Sequence, residues 1–459
     1  MPRPPAPESL DPALVLLLLE DDNARRRLTS WLGTRQVDEM VALAGRGVPE
    51  EDEQRRVVVL HGIMGGQLVD RRGVHEDVIW FDLPHLLYAD GIERLRLTEA
   101  GRDAARGSRL EATRPLRILY DLLAWHLAGV GGFRVHSLAY DWRKNIDLAA
   151  EKLHGDLEAL AAGDDDARFT VVAHSLGGVV TMRYATRFPA AARRRLEQVV
   201  VMGSPLAGCF EPFQLWSGVH PTAARVDQVS GRGDLVRQVF ATFPSMAELC
   251  PDPRRFDSEA LLDARTWPDL PTLGPLFGHG RAWRDKAGVP DFLLDRLDVV
   301  LSAAHDTCVG LVRGPSVADP VTQRLGPGDG SVPVASAWCP GARGHYAVPT
   351  HHPLMPLDHG VRALVVALVA SNGASGGETA RVASLAELES AHPGPTADAA
   401  PPAPLQSFQA RAGRGDACNG DGMWLLGCNV ASPGDPTAGG RPLDRVAPRG
   451  SGPREPRPL

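Results

Sequence analysis

The fold of this chain is indicated most directly by the stretch Val171-Val172-Ala173-His174-Ser175-Leu176-Gly177-Gly178-Val179-Val180. An apolar strand-like run leads to a serine between small residues, and a helical pattern follows. In such a strand-to-helix turn the serine is strained and its Oγ exposed, so the residues two before and two after it, here Ala173 and Gly177, must be small. The pattern predicts a nucleophile elbow at Ser175, whereas His174 is expected to point elsewhere and be structural. The alternative is a serine that caps the following helix.

The sequence around this stretch alternates short apolar runs with longer amphipathic segments. This alternation predicts an α/β fold, with a mostly parallel central sheet and helices on both faces. The predicted strands are residues 56–60, 133–138, 169–172, 198–202, 299–302 and 345–348. The predicted helices are residues 115–128, 147–162, 177–187 and 357–370.

The chain divides by composition into five segments. Residues 1–50 carry apolar residues at three- and four-residue spacings, which predicts a helical N-terminal appendage that packs on the main domain or docks a partner. Residues 51–208 and 296–370 carry the α/β pattern. Residues 209–295 interrupt it with many Pro, Trp and Phe residues, as an insertion with its own short helices would. Residues 371–459 are rich in Gly and Pro, which predicts a mostly disordered tail.

Composition and charge argue against several classes of protein. The 459 residues are 43% hydrophobic and 23% charged, with a formal net charge of -7, so they offer no global basic field for nucleic acid. No apolar run reaches the roughly 20 residues of a bilayer-spanning helix. The short apolar run at residues 13–19 lacks the basic flank and cleavage site of a signal peptide. We therefore predict a soluble, cytoplasmic protein without a nucleic-acid partner.

A serine nucleophile needs a general base, and the base needs a carboxylate that orients it. After an elbow of this kind, the expected chain order is Ser, Asp, His. Asp329 is the candidate carboxylate, because Gly328 and Gly330 let the backbone fold tightly around it. A plain Asp-Gly turn is the alternative interpretation.

Four histidines follow Asp329, and they are His345, His351, His352 and His359. His345 precedes the last predicted strand, and His359 falls inside the last predicted helix. His351 and His352 lie where the chain leaves that strand, at the edge of the sheet where the serine is expected. We predict His352 as the base because the loop and helix after it are typical of a base-bearing loop. His351 is the alternative.

The negative charge that develops on a substrate oxygen also needs hydrogen-bond donors. One predicted donor is the backbone amide of Leu176, directly after the serine. The other is expected from residues 61–68, whose glycines allow close approach of the backbone to substrate. We assign it to Ile63, with Met64 as the alternative. A phosphate-binding loop of a dinucleotide fold is the rival interpretation, but the loop contains no G-x-G-x-x-G.

Further segments of the chain resemble a known family. Residues 61–68, 140–143, 173–178 and 203–208 resemble, in this order, segments of the lecithin:cholesterol acyltransferase-like lipase family of α/β-hydrolases, and residues 243–251 and 328–333 are similar to family segments too. The resemblance covers roughly residues 55–370. It implies an α/β-hydrolase fold, acyl chemistry on esters and a triad of Ser175, Asp329 and His352. It also implies that residues 209–295 form the family's cap or lid.

These observations together predict a serine esterase, lipase or acyltransferase that acts on a lipid-like ester and is compatible with peripheral membrane contact. No cofactor or metal is expected, because the sequence contains no H-E-x-x-H motif or Cys/His cluster. The alternative is a catalytically inactive α/β-hydrolase scaffold that binds protein partners through residues 1–50 or the tail. Four aromatic residues of the insertion either form an apolar surface over the serine or pack as the core of the insertion itself: Trp216, Phe240, Phe243 and Trp267.

Overall fold

The structure of the protein is a computed structural model that describes residues 55–72, 75–82, 90–105, 108–220, 233–313, 321–373 and 381–391. It also describes single helical positions at residues 26, 29, 34, 37, 38, 42, 86, 223, 226 and 227. Apart from the six helical positions between residues 26 and 42, the predicted N-terminal appendage lies outside the described residues, and so does most of the predicted tail.

The strands occur at the predicted places and at several others. They are β1 (Arg56–Leu60), β2 (Gly66–Arg72), β3 (His75–Trp80), β4 (Leu110–Pro115), β5 (Arg134–Leu138), β6 (Phe169–His174), β7 (Leu196–Met202), β8 (Leu297–Leu301), β9 (His305–Arg313), β10 (Val321–Gly328) and β11 (Gly344–Ala347). The six predicted strands correspond to β1, β5, β6, β7, β8 and β11.

These six strands form one sheet in the order β11-β8-β7-β6-β1-β5, and every neighbouring pair is parallel. The central strands are buried on both faces, because Val57, Val58 and Val59 of β1 and Val171 and Val172 of β6 are fully buried. Such strands read as continuous apolar runs rather than alternating ones. The predicted α/β class with a parallel central sheet is confirmed.

Helices flank the sheet. They are α1 (Gly91–Arg94), α2 (Arg117–Gly129), α3 (Ile146–Leu160), α4 (Leu176–Arg187), α5 (Pro189–Arg195), α6 (Glu211–Trp216), α7 (Leu235–Phe240), α8 (Pro244–Glu248), α9 (Leu273–Arg284), α10 (Asp291–Leu294), α11 (Val334–Ala337), α12 (His359–Ala370) and α13 (Leu385–Ala391). The starts of α3 and α12 are fixed by side-chain caps: Asn145 accepts from the Asp147 amide at 2.6 Å, and Asp358 accepts from the Val361 amide at 2.9 Å. Within the described part of the chain, no helix has the length and apolar character needed to cross a membrane.

Two smaller antiparallel sheets were not predicted. One has the order β3-β2-β4, and the other pairs β9 with β10. The buried Asp70 of β2 accepts hydrogen bonds from Arg94 at 2.5 Å and Ser108 at 2.8 Å, which ties α1 and the loop before β4 to this sheet. Polar residues such as Asp70 interrupt the apolar pattern, and this explains why hydrophobic periodicity did not reveal the strand.

Residues 209–295 lie between β7 and β8 and contain short helices around an aromatic core. Trp216, Phe243 and Trp267 are at most 1% exposed, and the Trp216 and Trp267 rings pack edge to face with centroids 6.0 Å apart. Asp269 pairs with Arg237 of α7 and with Arg313 of β9. Trp216, Phe243 and Trp267, three of the four aromatic residues singled out in the sequence, thus pack as the core of this segment.

The segment predicted as a tail is described at residues 371–373 and 381–391 only. There Arg381 forms an antiparallel bridge with Tyr346, and the Val382 amide donates to the His345 carbonyl at 2.9 Å. Helix α13 follows this contact with the edge strand β11.

Candidate active site

Ser175 lies at the sharp turn between β6 and α4, with φ 54° and ψ -125°. Its amide donates to the Met202 carbonyl at 2.9 Å, and its side chain makes no capping hydrogen bond to α4. A Cβ atom at Gly177 would lie 2.7 Å from the His61 carbonyl oxygen. The turn therefore requires the small residue that the elbow pattern predicted.

Ser175, His352 and Asp329 are joined by two hydrogen bonds. Ser175 Oγ lies 2.9 Å from His352 Nε2, and His352 Nδ1 lies 2.7 Å from Asp329 Oδ2. The three residues are 5%, 8% and 2% exposed. Because a carboxylate only accepts, Nδ1 carries the proton toward Asp329, and Nε2 offers its lone pair to the Ser175 hydroxyl. This arrangement can remove a proton from Ser175.

Asp329 is held by the backbone of its own loop. Its Oδ1 accepts hydrogen bonds from the amides of Ser331 at 3.0 Å and Val332 at 2.6 Å. The His352 amide in turn donates to the Asp329 carbonyl at 2.9 Å. Burial is the largest single influence and lowers the pKa of His352, but the charge and hydrogen bond of Asp329, together with the charge of Glu211, outweigh it, and the net result is a raised pKa.

The other candidate histidines lie elsewhere. The His351 ring stacks on His305 with centroids 3.4 Å apart, and the His345 ring stacks on Trp338 with centroids 3.7 Å apart. His359 lies against His126 at 5.8 Å between centroids. Of the four, His352 is the one that contacts the Ser175 hydroxyl.

The loop after β1 lies against the serine. A Cβ atom at Gly62 would come within 2.7 Å of Ser175 Cβ, and the Gly65 amide closes a turn on the Gly62 carbonyl at 3.1 Å. Met64 adopts a positive φ of 57° in this turn. The amides of Leu176 in the elbow and of Ile63 and Met64 in the loop donate to no acceptor among the described residues.

Gly203 supports the carboxylate and the base at close range. It has φ +55°, and a Cβ atom there would lie 2.8 Å from Asp329 Oδ2 and 2.9 Å from His352 Nδ1. Only glycine tolerates both this conformation and this approach. The position belongs to the 203–208 segment that carries the family resemblance, and its steric role became evident only in the structure.

Sequence reasoning also missed Tyr120 of α2. Its hydroxyl lies 2.9 Å from His174 Nδ1 and accepts a hydrogen bond from the Gly62 amide at 2.9 Å. His174 Nε2 lies 3.0 Å from the His352 carbonyl oxygen. No motif marks Tyr120, because it reaches the site through the packing of α2 on the sheet.

A small apolar cavity of about 40 Å³ lies next to the loop after β1. His220 is the one polar residue among those that line it: Met64, Trp80, Leu86, Ile92, Leu215, His220, Ala223, Val226, Val236 and Phe240. Phe240 is thus the member of the predicted aromatic set that faces this cavity.

The cysteines of the described residues are inert as nucleophiles. Cys209, Cys250, Cys308 and Cys339 are buried free thiols. Burial raises the pKa of Cys250 to about 12 and the pKa of Cys308 and Cys339 to about 11. Among the described residues, no three His, Cys, Asp or Glu side chains cluster in a way that would hold a metal ion.

These features together define the α/β-hydrolase fold. They are a parallel sheet with flanking helices, a strained serine at the carboxyl end of a central strand, and a histidine and an aspartate hydrogen-bonded in series to that serine. The family model described as lecithin:cholesterol acyltransferase matches residues 112–268. This match confirms the resemblance to the lecithin:cholesterol acyltransferase-like lipase family, and it supports an acyl-ester hydrolase or acyltransferase.

Solved structures with distant similarity include a lipase, a complex and a carboxylesterase. Lipase BlEst2 of Bacillus licheniformis in its mature form is 13% identical, with a TM-score of 0.33, over 72% of this chain and 96% of that chain. The Tle4-Tli4 complex gives 12% identity and a TM-score of 0.48 over 70% and 99%. Carboxylesterase CesB (YbfK) from Bacillus subtilis is 12% identical, with a TM-score of 0.29, over 79% of this chain and 99% of that chain. No curated protein matches the chain.

Proposed function

We propose that this protein is a serine-dependent acyl-ester hydrolase or acyltransferase. Ser175 is the nucleophile, His352 the general base and Asp329 the carboxylate that orients the base. The observation that carries this proposal is the pair of hydrogen bonds, 2.9 and 2.7 Å long, that runs from Ser175 Oγ through the His352 ring to Asp329. The family match supports the acyl-ester part of the assignment.

In the proposed reaction, His352 Nε2 takes the hydroxyl proton as Ser175 Oγ attacks the ester carbonyl carbon. The hydrogen bond from Nδ1 to Asp329 holds the ring in the correct tautomer and stabilises the imidazolium that forms. Collapse of the tetrahedral intermediate breaks the ester C–O bond, and the departing alcohol receives the proton from His352. Water or an acceptor alcohol then attacks the acyl-Ser175, with His352 again as base, and an acid or a new ester is released.

The oxyanion of each tetrahedral intermediate is stabilised by two backbone amides. One is that of Leu176, which lies at the N-terminus of α4, where the helix dipole favours negative charge. The other is that of Ile63, with Met64 as the alternative, in the loop that lies against Ser175. One such donor is worth about 10²- to 10³-fold in kcat.

We further propose that the acyl group of the substrate is lipid-like. The support is the apolar cavity, whose wall includes Met64, two residues from the Gly62 that contacts Ser175. Burying an acyl chain there gains about 0.8 kcal/mol per methylene group. Longer acyl chains should therefore raise kcat/KM until the cavity is full.

A chain-length series tests both the reaction and the cavity. We expect kcat/KM for p-nitrophenyl esters with acyl chains of about two to twelve carbons to rise toward medium chains, because each buried methylene group adds binding energy. Val236→Phe, which fills part of the cavity from α7, should shift the optimum to shorter chains. Val130→Phe is the matched control, because Val130 is 48% exposed at the end of α2 and should leave the profile unchanged.

The outcomes separate the two claims. A flat chain-length profile that Val236→Phe does not alter would contradict the lipid-like substrate but leave the reaction intact. A folded wild-type protein that hydrolyses none of the esters would contradict the reaction itself and favour the inactive scaffold that binds partners.

The pH dependence follows from the base. His352 accepts the Ser175 proton only when its imidazole is neutral. Burial lowers its pKa, but the charge and hydrogen bond of Asp329, together with the charge of Glu211, outweigh burial and raise the pKa above the ordinary 6.5. We expect kcat/KM to fall on acidification with a midpoint above pH 6.5. A pH–rate profile measures this midpoint, and circular dichroism at each pH checks that the fold persists. A midpoint clearly below 6.5 in a folded protein would argue against the His352–Asp329 pair as the base.

A further inference from the structure

Three buried hydrogen bonds connect the loop after β1 to the loop of the base through α2 and β6. The Gly62 amide lies 2.9 Å from the Tyr120 hydroxyl, which lies 2.9 Å from His174 Nδ1. His174 Nε2 lies 3.0 Å from the carbonyl oxygen of His352. Tyr120 and His174 are 2% and 5% exposed, so water does not compete for these bonds.

The groups at the two ends of this series of hydrogen bonds determine the position of every proton in it. The Gly62 amide can only donate, so the Tyr120 oxygen accepts from it. The His352 carbonyl can only accept, so His174 Nε2 carries the ring proton and donates it. The Tyr120 hydroxyl therefore donates to the bare Nδ1 of His174. Burial favours this neutral arrangement, because it lowers the pKa of His174 and raises the pKa of Tyr120.

We propose that His174 and Tyr120 are positioning residues that hold the base and the oxyanion loop in register with Ser175. This inference rests on the proposed function. His174 directly precedes Ser175 in the chain, its bond to His352 reaches the backbone of the base itself, and Tyr120 reaches the amide next to Ile63. The side chains of Tyr120 and His174 do not contact the Ser175 hydroxyl, so their effect passes through the residues that they hold.

The His174 ring joins parts of the fold that lie far apart in the chain: the elbow, the loop of the base and, through Tyr120, the loop after β1. His174 and His352 are 178 positions apart in the chain, and Tyr120 and Gly62 are 58 apart. The base loop is already attached to Asp329 through the His352 amide. The hydrogen bond from His174 Nε2 to the His352 carbonyl attaches the base loop to the elbow as well. Without this bond the loop keeps its fold but loses one fixed contact, and a shift of about 1 Å at a reacting group costs roughly 10²-fold in rate.

Tyr120→Phe is the sharpest test, because it removes one oxygen atom and both of its hydrogen bonds. We expect kcat to fall by about 10- to 100-fold with KM within about twofold of the wild type, since positioning affects the transition state rather than ground-state binding. The loss should be the same for short and long acyl esters. Tyr184→Phe is the matched control: Tyr184 is fully buried, and its hydroxyl has no hydrogen-bond partner among the described residues.

His174 is tested by two substitutions of different chemistry. His174→Phe removes both bonds and should lower kcat at least as much as Tyr120→Phe. His174→Gln keeps a donor toward the His352 carbonyl and should recover part of that loss. Because the two side chains belong to the same series of hydrogen bonds, the loss of kcat in the double variant of His174→Phe and Tyr120→Phe should be smaller than the product of the two single losses. His154→Phe, at a histidine that stacks on Phe188 outside the site, is the control.

Thermal unfolding measured beside kcat distinguishes positioning from a structural role. Tyr120→Phe with a lowered melting temperature but wild-type kcat would overturn the inference, and so would equal losses in Tyr120→Phe and Tyr184→Phe. Should His174→Phe not fold, Tyr120→Phe and His174→Gln carry the test. A wild-type protein without esterase activity would instead contradict the proposed function, so the two failures are distinct.

Discussion

Replacement of Ser175 by alanine is expected to abolish labelling by a fluorophosphonate probe and to lower kcat by about 10⁶-fold for ester hydrolysis. The reason is that Oγ forms the only bond to the acyl group in the proposed mechanism, and it is the one hydroxyl among the described residues that is hydrogen-bonded to the His352 ring. The buried thiols are protonated because burial raises their pKa. Active-site titration and steady-state assays on the same preparation measure both effects.

Ser390→Ala is a suitable control for this substitution, because Ser390 is an exposed serine of α13. It should label and turn over like the wild type. Ser175→Ala removes a single oxygen from a buried position, so its circular dichroism and melting temperature should stay close to those of the wild type. Persistent labelling of the folded Ser175→Ala protein would show that another residue is the nucleophile, and the proposed mechanism would be wrong.

Asp329→Asn is expected to give the second largest loss, about 10⁴-fold in kcat. An asparagine can keep Oδ1 on the amides of Ser331 and Val332, so the loop should fold as before. Its amide group would then face His352 Nδ1 with a donor instead of an acceptor. The imidazole would have to place its proton on Nε2, where it could no longer accept the proton of Ser175.

Measurement of kcat for Asp329→Asn beside Asp257→Asn gives the matched comparison, because Asp257 is exposed and lies outside the site. Near-UV circular dichroism reports whether the packing around the base is kept. A folded Asp329→Asn protein with wild-type kcat would mean that the tautomer of His352 is fixed by another group, and Asp329 would lose its assigned role.

Much of the fold could be predicted because its signals are local. The strands of the parallel sheet are short apolar runs, since both of their faces are buried, and the helices between them carry a regular apolar spacing. The antiparallel sheet of β2, β3 and β4 escaped prediction because charged residues such as Asp70 occupy its buried face. Asp70 is accommodated there by Arg94, a partner 24 positions away. Local periodicity does not reveal such compensation.

The sequence by itself determined the elbow, because its requirement is steric and confined to a few residues: a small side chain at Gly177 and a strained serine between strand and helix. Only the tertiary structure decided which of the adjacent His351 and His352 reaches Ser175, because neighbouring residues in a loop point in different directions. It also decided that Tyr120 and Gly203 belong to the site. Their contacts join elements far apart in the chain, and such contacts depend on how the whole sheet and its helices pack.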